Sequence, residues 1–146
     1  MSEDEQVRAR VMSARRALEL TRAECWQLLG SVSLGRIVFT QRALPAIRPV
    51  NHLVDGKSII VRSHLGSTIV RYAAATDGAV VCYEADDLDP VQHTGWSVIG
   101  TGMARLVRDP VAIARYEELL EPWVIGQMDY VIAIDPQIIT GIRLVG

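Results

Sequence analysis

Ala43–Ala75 reads ALPAIRPVNHLVDGKSIIVRSHLGSTIVRYAAA, and its change of rhythm decides the architecture. Ile47, Val50 and the Leu53-Val54 pair supply the apolar positions of a first strand. Asp55-Gly56 predicts a tight hairpin, because glycine takes positive φ without a Cβ penalty. Ser58-Ile59-Ile60-Val61-Arg62-Ser63 is the returning strand, rich in β-branched residues. After Gly66-Ser67 the apolar positions Ile69, Val70, Ala73 and Ala74 switch to helical spacing, with Ser67 as the cap. Free amides at that helix start, next to a strand ending in Arg62 and Ser63, make a favourable seat for an anion such as phosphate. Many strand–turn–helix junctions bind nothing, so the stretch gives a location rather than a ligand.

Upstream, Thr21-Arg22-Ala23-Glu24 is a capping box that opens a helix running to Gly30, a suitable residue just past the helix end. Ser33–Thr40 alternates as a strand should. Residues 1–20 read as a charged tail or marginal helix, with Val7, Val11, Ala14 and Leu18 at helical spacing, and 21–146 as the domain. Acids interspersed among Arg8, Arg10, Arg15 and Arg16 favour a solvated face over a nucleic-acid contact.

Downstream, Ala79–Glu84 is a buried strand leading into the acidic loop Asp86-Asp87-Leu88-Asp89-Pro90. Its carboxylate spacing fits no EF-hand, so no metal site is expected. Gly95–Val107 is a long strand whose Gly100 and Gly102 predict a bulge, a barrel corner or close backbone approach. Gly100-Thr101-Gly102 lacks the third glycine and following helix of a dinucleotide fingerprint. Asp109-Pro110 opens a helix with Ile113, Tyr116, Leu119 and Leu120 on one face, stopped by Pro122. Tyr130–Ile134 and Ile138–Val145 read as two strands around an Asp135-Pro136 turn. Six or seven short strands joined by hairpins, with short helices at the corners, predict a mainly antiparallel α+β barrel rather than a βαβ sheet.

Composition bounds the function. A chain of 146 residues, 49% hydrophobic, carries one domain with a real core. A net charge of -2 argues against a general polyanion binder, although fourteen of the fifteen basic residues are arginine. Cys25 and Cys82 are too few for a disulfide scaffold or a zinc site and read as small buried hydrophobes. The charged start MSEDEQVRAR is no signal peptide and no stretch is long enough to span a membrane, so cytoplasm is the expected compartment.

Several motifs follow one another in a specific order. These are Leu34-Gly35-Arg36-Ile37, Pro45-Ala46-Ile47-Arg48-Pro49-Val50-Asn51, Asp55-Gly56 before Ile60–Ser63, and then Gly66-Ser67. Tyr83-Glu84-Ala85-Asp86, Gly95-Trp96-Ser97-Val98 and the Ile139–Arg143 strand complete the series. Over roughly residues 21 to 145 the chain resembles the pyridoxamine 5′-phosphate oxidase-like, FMN-binding split-barrel superfamily, and within it the nitroimidazole-resistance-type branch. The resemblance implies a six- to seven-stranded split β-barrel of Greek-key type with short peripheral helices. It also implies a homodimer with a flavin site at the subunit interface and a small-molecule substrate, with no nucleic acid or membrane involved.

In that pattern Arg48, Pro49, Val50 and Asn51 line the flavin ring, and Arg62 and Ser63 meet its tail. Ser67 and Thr68 hold the phosphate, while Trp96 and Ser97 approach the ring, often from the other subunit. Thr68 stands where the family usually carries lysine or arginine, leaving His64 or Arg71 to supply the charge. That departure keeps a deazaflavin, or an empty pocket, open beside FMN. His52, at the ring edge, is the acid/base candidate, although His52 and His93 also read as satisfied core or surface histidines. Trp96 reads equally as a core or interface aromatic. The implied activity is electron or hydride transfer from an external donor to a small, flat acceptor. The alternative is a non-enzymatic module that binds or stores flavin or deazaflavin.

Overall fold

The computed structural model of the chain describes residues 2–6, 16–63, 71, 79–121 and 130–146. One antiparallel sheet contains β1 (Arg16–Glu19), β2 (Leu34–Gln41), β3 (Leu44–Asp55), β4 (Ser58–Ser63), β5 (Ala79–Asp89), β6 (Thr94–Leu106) and β7 (Tyr130–Val145). The order is β1-β7-β4-β3-β2-β5-β6, and β6 pairs in turn with β7. Neighbours therefore close a ring, β7-β4-β3-β2-β5-β6, with β1 added along the last residues of β7. This is the mainly antiparallel barrel expected, and closure leaves few edges to protect.

Alternation along the strands separates two cores. Ile37, Phe39, Ile59, Val81, Tyr83 and Ile134 belong to the larger, which fills the barrel. Helix α1 (Arg22–Gly30) packs Cys25 and Leu29 into the same cluster, so it closes the barrel on one side. Its capping box is formed, with Thr21 N–H on Glu24 Oε1 at 2.9 Å and Glu24 N–H on Thr21 Oγ1 at 3.2 Å. The smaller core lies on the outer face, where Ile60, Val131 and Ala133 meet Leu120. Ile113 and Tyr116 of helix α2 (Pro110–Leu119) back that cluster. Asp109 caps α2 by accepting from Val111 N–H. Asp55, at the β3–β4 turn, receives both Arg115 Nη2 and the Tyr116 hydroxyl at 2.6 Å.

Four elements differ from the sequence expectation. Residues 16–19 pair with Ile142–Val145 as a strand rather than a tail or helix, because the end of β7 offers them unpaired backbone groups. β5 runs through the acidic segment to Asp89, and Leu88 and Asp89 pair with Gly95 and Thr94. Carboxylates are tolerated there because this hairpin end is exposed, and Asp89 accepts from Val91 and Gln92 N–H. The two expected C-terminal strands are one, continuous through Asp135-Pro136. A register shift between Thr101 and Gly102 absorbs the proline, and a Cβ on Gly102 would lie 2.7 Å from Pro136 Cα. Finally, Gly30 is the last residue of α1, which Ser31 caps in an ordinary right-handed conformation.

The helix expected after Ser67 lies outside the described residues apart from Arg71, which is helical and exposed. Cys25 is buried, as expected; Cys82 is half-buried with its Sγ 3.3 Å from Thr101 Oγ1. Among the described residues no helix is long and apolar enough to cross a membrane.

Candidate functional site

Strands β3 and β4 carry most of the expected cofactor residues. The register pair His52↔Val61 puts Asn51 and Arg62 next in line on neighbouring strands. Period two then sorts β3: Val50, His52 and Val54 turn toward the barrel core, while Asn51 and Leu53 turn outward. Arg62 shares the outward side with Ile60. Asn51 Nδ2 donates to the backbone carbonyl of Glu121, and Arg62 Nη1 donates to that of Leu120 at 3.0 Å. The two donors thus converge on consecutive carbonyls at the end of α2. Arg48 and Pro49 lie further along β3, both exposed, and Arg48 Nη1 bonds the Ile47 carbonyl at 2.8 Å. Ser63 ends β4 opposite Tyr130. Ser67, Thr68 and His64 lie outside the described residues.

His52 is a satisfied core histidine, 3% exposed. Its Nε2 is 2.9 Å from the Leu29 carbonyl and so carries the proton. Nδ1 is then the acceptor for the Tyr83 hydroxyl, whose ring meets the imidazole edge-on at 5.0 Å. Burial holds the imidazole pKa below its usual range, against the raising effect of the Leu29 carbonyl. Burial likewise pushes the Tyr83 phenol up. Both groups are neutral near pH 7, and the bond to Leu29 satisfies a carbonyl in the last turn of α1. Gly35 makes room for Tyr83: a Cβ there would meet the tyrosine ring and lie 2.6 Å from the Glu84 carbonyl.

Trp96 and Ser97 are elsewhere. Both sit on β6, which the ring order places directly across the barrel from β3. Trp96 is 6% exposed and part of the main core. Ser97 is half-buried and lines a groove of about 340 Å³ with Ile99, Thr140 and Ile142. One protomer therefore gathers Arg48–Asn51, Arg62 and Ser63 on one side and leaves Trp96 and Ser97 on the other.

A cavity of about 710 Å³ opens beside the end of α1 and is lined by Ser31, Ser33, Arg36, His52, Val54 and Asp86 among others. Of the expected site residues, its described lining includes only His52, the acid/base candidate. Arg36 Nη1 bridges Glu84 Oε2 at 3.2 Å and Asp86 Oδ2 at 3.4 Å. Burial, then the neighbouring Asp86, raises the Glu84 carboxyl to about 7. Among the described residues no group of three His, Cys, Asp or Glu is placed to hold a metal ion.

A profile of the pyridoxamine 5′-phosphate oxidase family matches residues 21–143, almost the whole barrel. The chain belongs to that family. An uncharacterised protein of Mycobacterium tuberculosis is 54% identical over 140 residues, covering 94% of this chain and 92% of its own. The solved structure of an FAD binding protein from Mycobacterium smegmatis is 37% identical, covering 88% of this chain and 98% of that one, with a TM-score of 0.71. A pyridoxamine 5′-phosphate oxidase homologue from Corynebacterium glutamicum, 29% identical, covers 90% of this chain and 100% of its own with a TM-score of 0.74. For this member of the pyridoxamine 5′-phosphate oxidase family, the carbonyls of Leu120 and Glu121 are the site feature that the sequence concealed. Backbone acceptors carry no side-chain signature, and only the buried position of Leu120 at the helix end hints at them.

Proposed function

We propose that this chain binds a flavin, FMN in the first instance, and transfers electrons or hydride from an external donor to a small, flat acceptor. The observation that carries this reading is the convergence of Asn51 and Arg62 on one pair of acceptor oxygens. Both donors meet oxygen acceptors there, and a flavin tail and ring edge would present acceptors of the same kind. The FAD-binding relative at 37% identity points the same way. A bound flavin supplies two-electron chemistry, and the protein supplies orientation and charge. Arg62 offers a charge-assisted donor for phosphate, Asn51 an amide for ring heteroatoms, and Arg48 a second, exposed guanidinium.

We assign the remainder of the site to a second copy of the chain. Ser97 stands across the barrel from Asn51 and faces outward, so only a two-fold partner could bring it to the ring, whereas Trp96 backs that strand from inside the core. Ser97 borders an outer face with exposed Ile99, Ile138, Ile142 and Val80, the apolar surface such a partner would cover. In this reading His52 positions β3 through its bonds to α1 and β5, while protons exchange with solvent.

The test is the visible spectrum of purified protein, followed by titration with FMN, FAD and a deazaflavin. Arg62→Ala should weaken FMN binding by about 2 kcal/mol, the worth of a charge-assisted bond. Unchanged affinity would remove Arg62 from the site. Turnover separates the second reading, a flavin-binding module without activity, which the engaged state of His52 favours. If bound flavin is bleached by dithionite but by neither reduced nicotinamide nor reduced deazaflavin, the module is the better account.

A further inference from the structure

The donors of the proposed site are already engaged. Leu120 caps α2, with its own N–H on the Tyr116 carbonyl at 2.9 Å. Its side chain, 4% exposed, is wedged among Ile60, Val131 and Ala133. Core packing therefore fixes the Leu120 and Glu121 carbonyls against Arg62 and Asn51. The Leu120 carbonyl lies at the negative end of α2, and Glu121 adds a second backbone acceptor and an exposed carboxylate beside it. A phosphate or ring oxygen brought to the same two donors is an electrostatic rival of that helix end.

We propose that the Leu120–Glu121 turn is a built-in competitor, holding Asn51 and Arg62 in the ligand-free protein and releasing them when a flavin binds. The inference rests on the flavin reading above and deepens it. Affinity is then set by how firmly Leu120 is packed as well as by the donors, because only the released population binds. Withdrawal of the helix end would free both donor side chains while the β3–β4 pairing beneath them stays intact.

Hydrogen–deuterium exchange on the wild-type chain, with and without FMN or FAD, tests this directly. Binding should speed exchange of the Leu120 amide, whose bond to Tyr116 is lost as the turn withdraws. Leu120→Ala, checked for folding by circular dichroism, should bind FMN about tenfold more tightly. If flavin binds while protection at Leu120 is unchanged or increased, the turn is a fixed wall and the competitor is refuted, with the flavin reading intact. If neither wild type nor Leu120→Ala binds FMN or FAD, the flavin reading fails and takes the competitor with it.

Discussion

His52 and Glu84 act on stability with opposite signs across the same pH window. His52 has a folded pKa below its ordinary 6.5, so the unfolded chain takes up the proton first as pH falls. Its contribution is complete above about 6.5 and is lost on acidification. Glu84 is raised from 4.5 to about 7, so its contribution is complete below 4.5 and is lost as pH rises through 7. Glu84→Gln should therefore gain more in urea midpoint, relative to wild type, at pH 8 than at pH 5. A gain that is the same at both pH values would remove Glu84 as the cause. Tyr83→Phe should cost about 1–3 kcal/mol at pH 7, because the buried His52 Nδ1 loses its donor. Gly35→Ala, forced against Tyr83, should cost at least as much by equilibrium unfolding. The fate of His52 was legible in part: it shares strand parity with Val50 and Val54, both core-facing. Its partners were not, since Tyr83 is thirty-one residues away and Leu29 contributes only a backbone oxygen.

Turns and caps set the limits of the elements, and one turn is strained. The β2–β3 hairpin closes through Arg42 and Ala43 at φ 51° and 63°, left-handed values that favour glycine or asparagine. Replacing the pair by Asn-Gly should raise stability by about 1 kcal/mol, measured as a shift of the thermal midpoint. No shift would mean that the turn relaxes in solution. Asp109→Ala should lower stability by about 1 kcal/mol through loss of the α2 cap. Because α2 carries Leu120, the same variant is expected to loosen the turn over Asn51 and Arg62. Capping signals such as Thr21-x-x-Glu24 and Asp109-Pro110 were readable because they act within a few residues. The single β7 was not, since Asp135-Pro136 breaks a strand by every local rule. Only the bulge at Gly102, on another strand, lets it continue.

At the scale of the whole molecule, β7 is the shared wall: β4 and β1 pair along one edge and β6 along the other. The ring's six members were predictable as strands, but its closure joins Gly95–Leu106 to Ile132–Leu144, a pairing no local pattern announces. Sedimentation at micromolar concentration should give twice the chain mass if a second copy completes the site, and a monomer alone would leave Ser97 without a role at the ring. The position of β7 also bears on how the chain is made. It is the last of the seven strands in chain order, so during synthesis β4 and β6 emerge from the ribosome with unpaired backbone edges. The nascent chain must wait for β7 before the ring can shut, and a stalled or truncated product would present two sticky edges to its neighbours. A product truncated before Tyr130 should therefore aggregate, whereas the chain released with β7 should close the ring and stay dispersed.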